Sequence, residues 1–214
     1  MAWDDVKAVM GTDRVTLGPQ ASYQWLHDQK HLLFVLARYK HAARLIGGAQ
    51  SVLEIGCGEG IGARILADGR MAWRGIDTDA AALVVAADTL PAPRFVLDLA
   101  NVVGFDAERL YDAAVSLDVI EHIPAAQEDV FMDGITINLE DDGVCVIGTP
   151  NKTAEDYQSE ASRAGHINLY HAERLEELMR RHFRNVTMFG MNDEVLTTGY
   201  LPMAHYLMAV GVGL

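Results

Sequence analysis

Between positions 31 and 46 apolar residues recur at three-and-four spacing: Leu32, Val35, Leu36, Tyr39, Ala43 and Ile46 form one stripe, and Gly47 and Gly48 follow as a stop. This pattern predicts a helix. From Ser51 onward the periodicity changes, and apolar runs of strand length alternate with helical stretches. Positions 51–55, 71–77, 94–99, 111–117 and 143–149 read as strands, with helices over 60–67, 79–89 and 125–139 between them. After an irregular polar stretch over 150–170 come a helix over 171–183, a strand over 185–191, an irregular segment to Pro202, and a last apolar strand able to pair antiparallel with its predecessor. Strands linked by helices of this length lie parallel and are joined by right-handed crossovers. The expected fold is therefore α/β, a doubly wound, Rossmann-like sheet with helices on both faces.

Composition narrows the picture. A chain of 214 residues, 50% of them apolar, buries one sizeable core. We expect a single domain in which residues 1–48 form an N-terminal cap and helix over the site and residues 49–214 form the sheet. The N-terminal "MAWDDVKAVM" is not a basic-then-apolar leader, and no apolar run has bilayer length, so a soluble, cytoplasmic protein is expected. Cys57 and Cys145 fall in or beside buried strands and are expected as reduced thiols. A net charge of −13 repels phosphate backbones and anionic lipid heads, which argues against nucleic acid or membrane as partner. It does not exclude a small anion held in a local basic pocket.

The chemistry concentrates where the first strand ends. "SVLEIGCGEGIGARILA" runs a strand into Gly56, Gly58 and Gly60 and then into a helix, and in a doubly wound sheet this turn is the usual ligand cradle. Alone it is a weak signal, because "GEGIGA" also satisfies the loose dinucleotide pattern. The neighbouring carboxylates add to it. Glu54 lies inside the strand, where burial demands donors such as loop N–H groups or a ligand ammonium. Asp77 ends the second strand, placed to take a ribose diol; Asp98 ends the third, placed to accept from an adenine amino group; "SLDVIEHI" follows the fourth. A pyrophosphate would be repelled by this acidic rim, whereas a sulfonium bearing an ammonium would be attracted.

In this order and spacing "VLEIGCGEG", "GIDTD", "FVLDL" and "SLDVIEHI" resemble the class I S-adenosylmethionine-dependent methyltransferases, particularly the small-molecule O-methyltransferase branch. The resemblance implies a seven-stranded sheet with an antiparallel last strand and S-adenosylmethionine as cofactor, leaving as S-adenosylhomocysteine. It also implies roles: Glu54 supporting the loop, Gly56, Cys57 and Gly58 lining the methionine moiety, and Asp77 with Thr78 at the ribose. Asp98 and Leu99 would lie near the adenine, and Leu117 and Asp118 near the methionine amino group. Asp79 and Asp118 read equally well as a helix cap and a solvated loop carboxylate.

Methyl transfer needs alignment and exclusion of water, with a base where the acceptor is a neutral hydroxyl. Among eight histidines, His122 after the fourth strand and His166 in "RAGHINLYH" are the candidates for base or acceptor-orienting group. Asn168 and Tyr170 would share a face with His166 in an extended segment and so contact the acceptor. Tyr23 and Trp25, with His27, could form a lid. Asn192, Asp193 and Glu194 read as a solvated turn, and Lys152 and Arg163 as partners for an anionic acceptor. No CxxC or HExxH occurs, so no metal is expected. The acceptor expected is a small molecule methylated at a hydroxyl oxygen, with a homodimer left open. Two alternatives remain at this point. An NAD(P)-dependent oxidoreductase would share the glycine turn and Asp77 but leave Glu54, Asp98 and the acidic loop idle; a non-catalytic S-adenosylmethionine-binding protein would bind without turnover.

Overall fold

The computed structural model describes residues 2–67, 69, 71–158 and 160–214; Met1, Asp68, Arg70 and Ser159, the last within the stretch expected to be irregular, lie outside it. Eight strands form one sheet: β1 Ser51–Ile55, β2 Ala72–Asp77, β3 Phe95–Leu99, β4 Tyr111–Leu117, β5 Leu139–Pro150, β6 Asn185–Asn192, β7 Val195–Thr197 and β8 Tyr206–Val212. Their order is β3-β2-β1-β4-β5-β8-β6-β7. The first five are parallel to one another, and β8 runs antiparallel between β5 and β6. Chain order reverses between β1 and β4, and in doubly wound sheets the carboxyl ends of the strands at such a switch point are where a ligand crevice lies. The doubly wound sheet matches the expectation. Its eighth strand does not: the segment after β6 turns at Asp193, with φ of 51°, and pairs back on β6 as a short edge hairpin.

The helices are α1 Trp3–Met10, α2 Pro19–His27, α3 Gln29–Leu45, α4 Ala63–Leu66, α5 Ala80–Thr89, α6 Glu128–Thr136, α7 Glu160–Gly165 and α8 Ala172–His182. On one face of the sheet Leu53, Ile55 and Leu207 pack with Phe131 and Ile135 of α6 and Leu175 and Leu178 of α8. On the other face Val52, Trp73, Val146 and Met208 pack with Ala42 of α3, Leu66 of α4 and Ala86 of α5. Adjacent residues Val52 and Leu53 enter opposite cores because strand side chains alternate. Among the described residues no helix is long and apolar enough to cross a membrane.

Three of the boundaries that differ from the periodicity do so for a clear local reason. α3 starts two residues early because the Asp28 carboxylate accepts the His31 N–H at 3.1 Å and caps the first turn. α4 is a single turn, since the glycines before it hold the chain in a loop until Gly62. The helix expected over 125–139 ends early, because Leu139 already pairs with Tyr111 at the start of β5.

Candidate functional site

The loop after β1 is shaped by three glycines in the left-handed region, Gly56, Gly58 and Gly60, with φ of 80°, 50° and 71°. Two are needed for different reasons. A Cβ on Gly56 would meet Cγ2 of Val119 at 2.2 Å, so the β1 and β4 loops touch there, whereas a Cβ on Gly58 would meet nothing within 4 Å. Gly58 thus presents bare backbone to an open side. Its N–H donates to Asp77 Oδ2 at 2.7 Å, and Asp77 Oδ1 accepts from the Asp79 N–H at 2.8 Å. Asp79 in turn caps α5 through the N–H groups of Ala81 and Ala82, the cap role left open from the sequence. The end of β2, the glycine loop and the start of α5 are therefore tied through one carboxylate. Exposed Thr78 and Leu99, the latter 63% accessible, flank it at the strand ends.

Several side chains expected at this cradle are engaged elsewhere. Glu54 is buried, but its donors are the indole N–H of Trp73 at 2.8 Å and the hydroxyl of Tyr39, not loop N–H groups or a ligand. Burial pushes its carboxyl up to about 7 against these two hydrogen bonds. It supports the loop indirectly, by anchoring Tyr39 under Gly62, where a Cβ would lie 1.9 Å from the ring. Cys57 points into the core against Gly75, and burial followed by Glu54 pushes its thiol up, so only its backbone belongs to the loop. Asp98 Oδ2 is held by Arg74 Nε at 2.5 Å. Leu117 is packed in the core beneath the rim.

Asp118 is corrected in a similar way. Its two carboxylate oxygens accept from Arg38 Nη1 at 2.8 and 2.9 Å, so the side chain pairs with the long helix rather than standing free for an ammonium. Arg38 also lies over the Tyr206 ring, 3.9 Å from its centroid. Periodicity overlooked this residue, yet it carries a signal: Arg38 stands three and four positions from Val35 and Ala42, a charge within the apolar stripe.

The other end of the crevice is built by a 3₁₀ turn after β4, Ile120–His122, against the segment following α7. The Glu121 carbonyl accepts the N–H groups of both Ile167 and Asn168 at 3.0 Å, which locks the two segments together. Its side chain is fully buried; Oε2 accepts from the Thr149 hydroxyl at 3.0 Å, and Oε1 has no partner. Burial, and then the nearby Asp118, raise this carboxyl to about 8. His122 Nδ1 lies 2.8 Å from the Gly165 carbonyl, an acceptor, so Nδ1 carries a proton and Nε2 is left outside that bond. His166 Nδ1 lies 3.2 Å from Gln158 Oε1, and in this amide orientation Nδ1 is the donor. The two rings meet edge to face with centroids 5.1 Å apart. Burial and then His122 push His166 down, keeping it neutral. Ligand atoms of Glu121, His122 and His166 all lie within 4.8 Å of one another, a set that runs against the expectation of no metal.

Asn168 and Tyr170 do not share this place. The Asn168 amide donates to the Tyr170 hydroxyl at 2.8 Å, which donates to Glu128 Oε2 at 2.8 Å, and Arg174 covers the ring and pairs with the same carboxylate. Both are buried, Tyr170 completely, so they brace the loop on α6 and α8 and cannot touch an acceptor there. Tyr23 and Trp25 sit on α2 with about 60% exposure, 63% and 60%, Tyr23 against His27. α2 is linked to the cradle through Glu59, whose carboxylate accepts the N–H groups of Gln20 and Ala21 at 2.8 and 3.1 Å. Asn192 and Glu194 form the β6–β7 turn and bond with His205 and His41, and the Arg163 guanidinium donates to the Asp156 carbonyl; Lys152 is exposed.

A parallel sheet with its glycine cradle at the switch point, and a carboxylate tying cradle to second strand, defines an α/β protein of the nucleotide-cofactor type. Residues 25–186 match the family model described as "Methyltransferase domain", and the chain belongs to that family. A comparison with curated protein sequences gives no significant match. Among solved structures the chain is similar to the putative methyltransferase bound to the Trm112 methyltransferase activator of Haloferax volcanii, at 16% identity and TM-score 0.70, covering 91% of this chain and 94% of that one. It is also similar to the N-methyltransferase NodS from Bradyrhizobium japonicum WM9, in complex with S-adenosyl-L-homocysteine, at 19% identity and TM-score 0.62, covering 82% and 85%. A third is the methyltransferase domain of bacterial CtHen1-C, at 19% identity and TM-score 0.63, covering 83% and 100%. At these identities the likeness is one of fold.

Proposed function

We propose that this chain transfers the methyl group of S-adenosylmethionine to a hydroxyl oxygen of a small molecule. The observation that carries the reading is the pairing of an open, Asp77-anchored glycine cradle with two imidazoles in contact, His122 just after the neighbouring strand β4 and His166 just after α7, in a chain of the methyltransferase-domain family. The cradle fits the cofactor: Gly58 leaves open space where a Cβ would stand, Asp77 and exposed Thr78 face the ribose position, and Leu99 offers an apolar wall for a purine. S-adenosylmethionine, when bound, supplies an electrophilic methyl on a sulfonium that an in-line oxygen displaces.

The chain's own residues do the rest. His122 and His166 orient the acceptor hydroxyl and can take its proton on a free ring nitrogen, since each Nδ1 is already occupied. Arg38 pairs with Asp118 and offsets part of the negative charge that this carboxylate places beside Glu121. Exposed Tyr23 and Trp25 on α2, tied to the cradle through Glu59, are placed to close over the site when it fills. The net charge of −13 favours a small acceptor over a polyanion.

The test has two stages. Purified protein should gain thermal stability with S-adenosylmethionine or S-adenosylhomocysteine and none with NAD or NADP; the reverse pattern would sink the reading in favour of an oxidoreductase. A screen with labelled methyl donor against hydroxylated metabolites should then give an O-methyl product. Binding without turnover on any acceptor, phenols, sugars and amines included, would support a non-catalytic binding protein instead.

A further inference from the structure

Glu121, His122 and His166 come from two segments more than forty residues apart, and the fold brings one ligand-type atom from each within 4.8 Å of the others. Side chains of this kind also meet by chance, so the surrounding bonds decide. Both imidazoles turn Nδ1 to an acceptor, the Gly165 carbonyl and Gln158 Oε1, and so leave Nε2 as the nitrogen available to a cation. That is the arrangement of a metal-bound histidine, whose outer nitrogen is fixed by a carbonyl or amide that sets tautomer and ring orientation. The carboxylate is fixed in the same fashion: Thr149 holds Oε2, while Oε1 is fully buried with no hydrogen-bond partner. A carboxylate oxygen withdrawn from water with no donor is costly, and a cation removes that cost. Gly165 has no side chain for a steric reason too, since a Cβ would press on the His122 ring at 3.2 Å.

We propose that Glu121, His122 and His166 bind one divalent first-row transition-metal cation, with its remaining coordination positions open on the exposed side of His122. Two imidazoles and one carboxylate select Mn²⁺, Co²⁺ or Zn²⁺ over Mg²⁺ and Ca²⁺, which take oxygen ligands. The cation site stands on the geometry alone. Its role toward the acceptor rests on the methyl-transfer reading given above: an open position holds the acceptor hydroxyl and favours loss of its proton to solvent. The oxygen lone pair then forms the new O–CH₃ bond while the S–CH₃ bond breaks and its electron pair stays on sulfur. In this form the two histidines are ligands, and they orient the acceptor through the cation.

The experiment titrates the metal-stripped full chain with Co²⁺, followed by visible absorption, and with Mn²⁺, followed by electron paramagnetic resonance, both without methyl donor. The expected result is one cation per chain and a visible Co²⁺ spectrum shaped by nitrogen ligands. His122→Ala and His166→Ala should each weaken binding at least tenfold, as should Glu121→Gln. His182→Ala, which removes a largely covered histidine lying 3.3 and 3.4 Å from Asp129 and Asp133, should leave cation binding unchanged. Far-UV circular dichroism in chelator controls for folding, and His166→Asn serves if an alanine variant fails to fold. Equal affinity in the wild type and the His122/His166 double variant, or loss of binding on His182→Ala, would overturn the site. Methyl transfer that runs undiminished in chelator would overturn its acceptor role while leaving the site; cation binding without any S-adenosylmethionine binding would instead overturn the methyl-transfer reading.

Discussion

The two ends of the crevice are built on opposite plans. At the cradle, Gly56 to Gly60 lie within five consecutive residues and their anchor Asp77 ends the adjacent strand, so backbone conformation creates the site and one carboxylate ties it down. At the other end, Glu121 and His122 meet His166 across 43 residues of intervening chain, held by the Ile167 and Asn168 N–H groups on the Glu121 carbonyl and by the His122 ring N–H on the Gly165 carbonyl. The first plan uses few side chains and tolerates little change in backbone; the second depends on side chains brought together from distant segments and braced by Gly165, Asn168 and Tyr170. A fold that must keep one cofactor while changing acceptors gains from such a division.

The largest test of this contrast lies in turnover. His122→Ala and His166→Ala should leave S-adenosylmethionine affinity within a fewfold in calorimetry, yet at least one should lose about a hundred- to ten-thousandfold in rate. Gly56→Ala, which forces a Cβ onto Val119, should do the reverse and abolish cofactor binding at any acceptor concentration. Loss of cofactor affinity in the histidine variants would erase the division.

Next in size is the pH dependence of stability. The Glu54 carboxyl sits at about 7 in the fold against an ordinary 4.5, so the folded chain binds more protons than the unfolded one between these values. The stability it contributes is fully present below pH 4.5 and is lost as pH rises through 7, by about 3 kcal/mol at most. Glu54→Gln removes this titration and keeps an acceptor for Trp73 and Tyr39. The difference between wild type and variant in urea unfolding should therefore move in the variant's favour from pH 4.5 to 8 and then stay flat. A difference that does not vary with pH would place the carboxyl at its usual value.

Two smaller effects probe the braces behind each end. Arg38→Ala strands Asp118 beside Glu121; a fully buried pair would cost 3–5 kcal/mol to break, and with Asp118 34% exposed we expect about 2. Arg38→Met, matched in size, should recover little of it, because the lost charge and not the lost volume dominates. Tyr170→Phe removes one hydroxyl between Asn168 and Glu128 and should cost about 1 kcal/mol in denaturant unfolding, with cofactor binding unchanged. A specific rise in acceptor KM in that variant would return Tyr170 to the pocket.

How much of this was legible follows from where each signal resides. Strand and helix order, the antiparallel last strand and the cradle were readable, because hydrophobic period and glycine positions act over a few neighbouring residues. Asp77 was recognisable by its place at a strand end next to the loop, whereas its bonds to the Gly58 and Asp79 N–H groups were not. Glu54, Asp98 and Asp118 were recognisable as special but not as to their partners, since Trp73, Tyr39, Arg74 and Arg38 reach them from other elements. Asn168 and Tyr170 were misplaced on the assumption of an extended segment. In the fold both turn inward, where Glu128 and Arg174 satisfy them.

The amino-acid sequence by itself determined the class of fold and the position of the cradle, because periodicity and backbone freedom are local properties of the chain. Only the tertiary structure decided which carboxylates remain free for a ligand and that Glu121, His122 and His166 converge. Such pairings depend on which helix packs over which strand end, and that information is spread over the whole core rather than written beside the residues it positions.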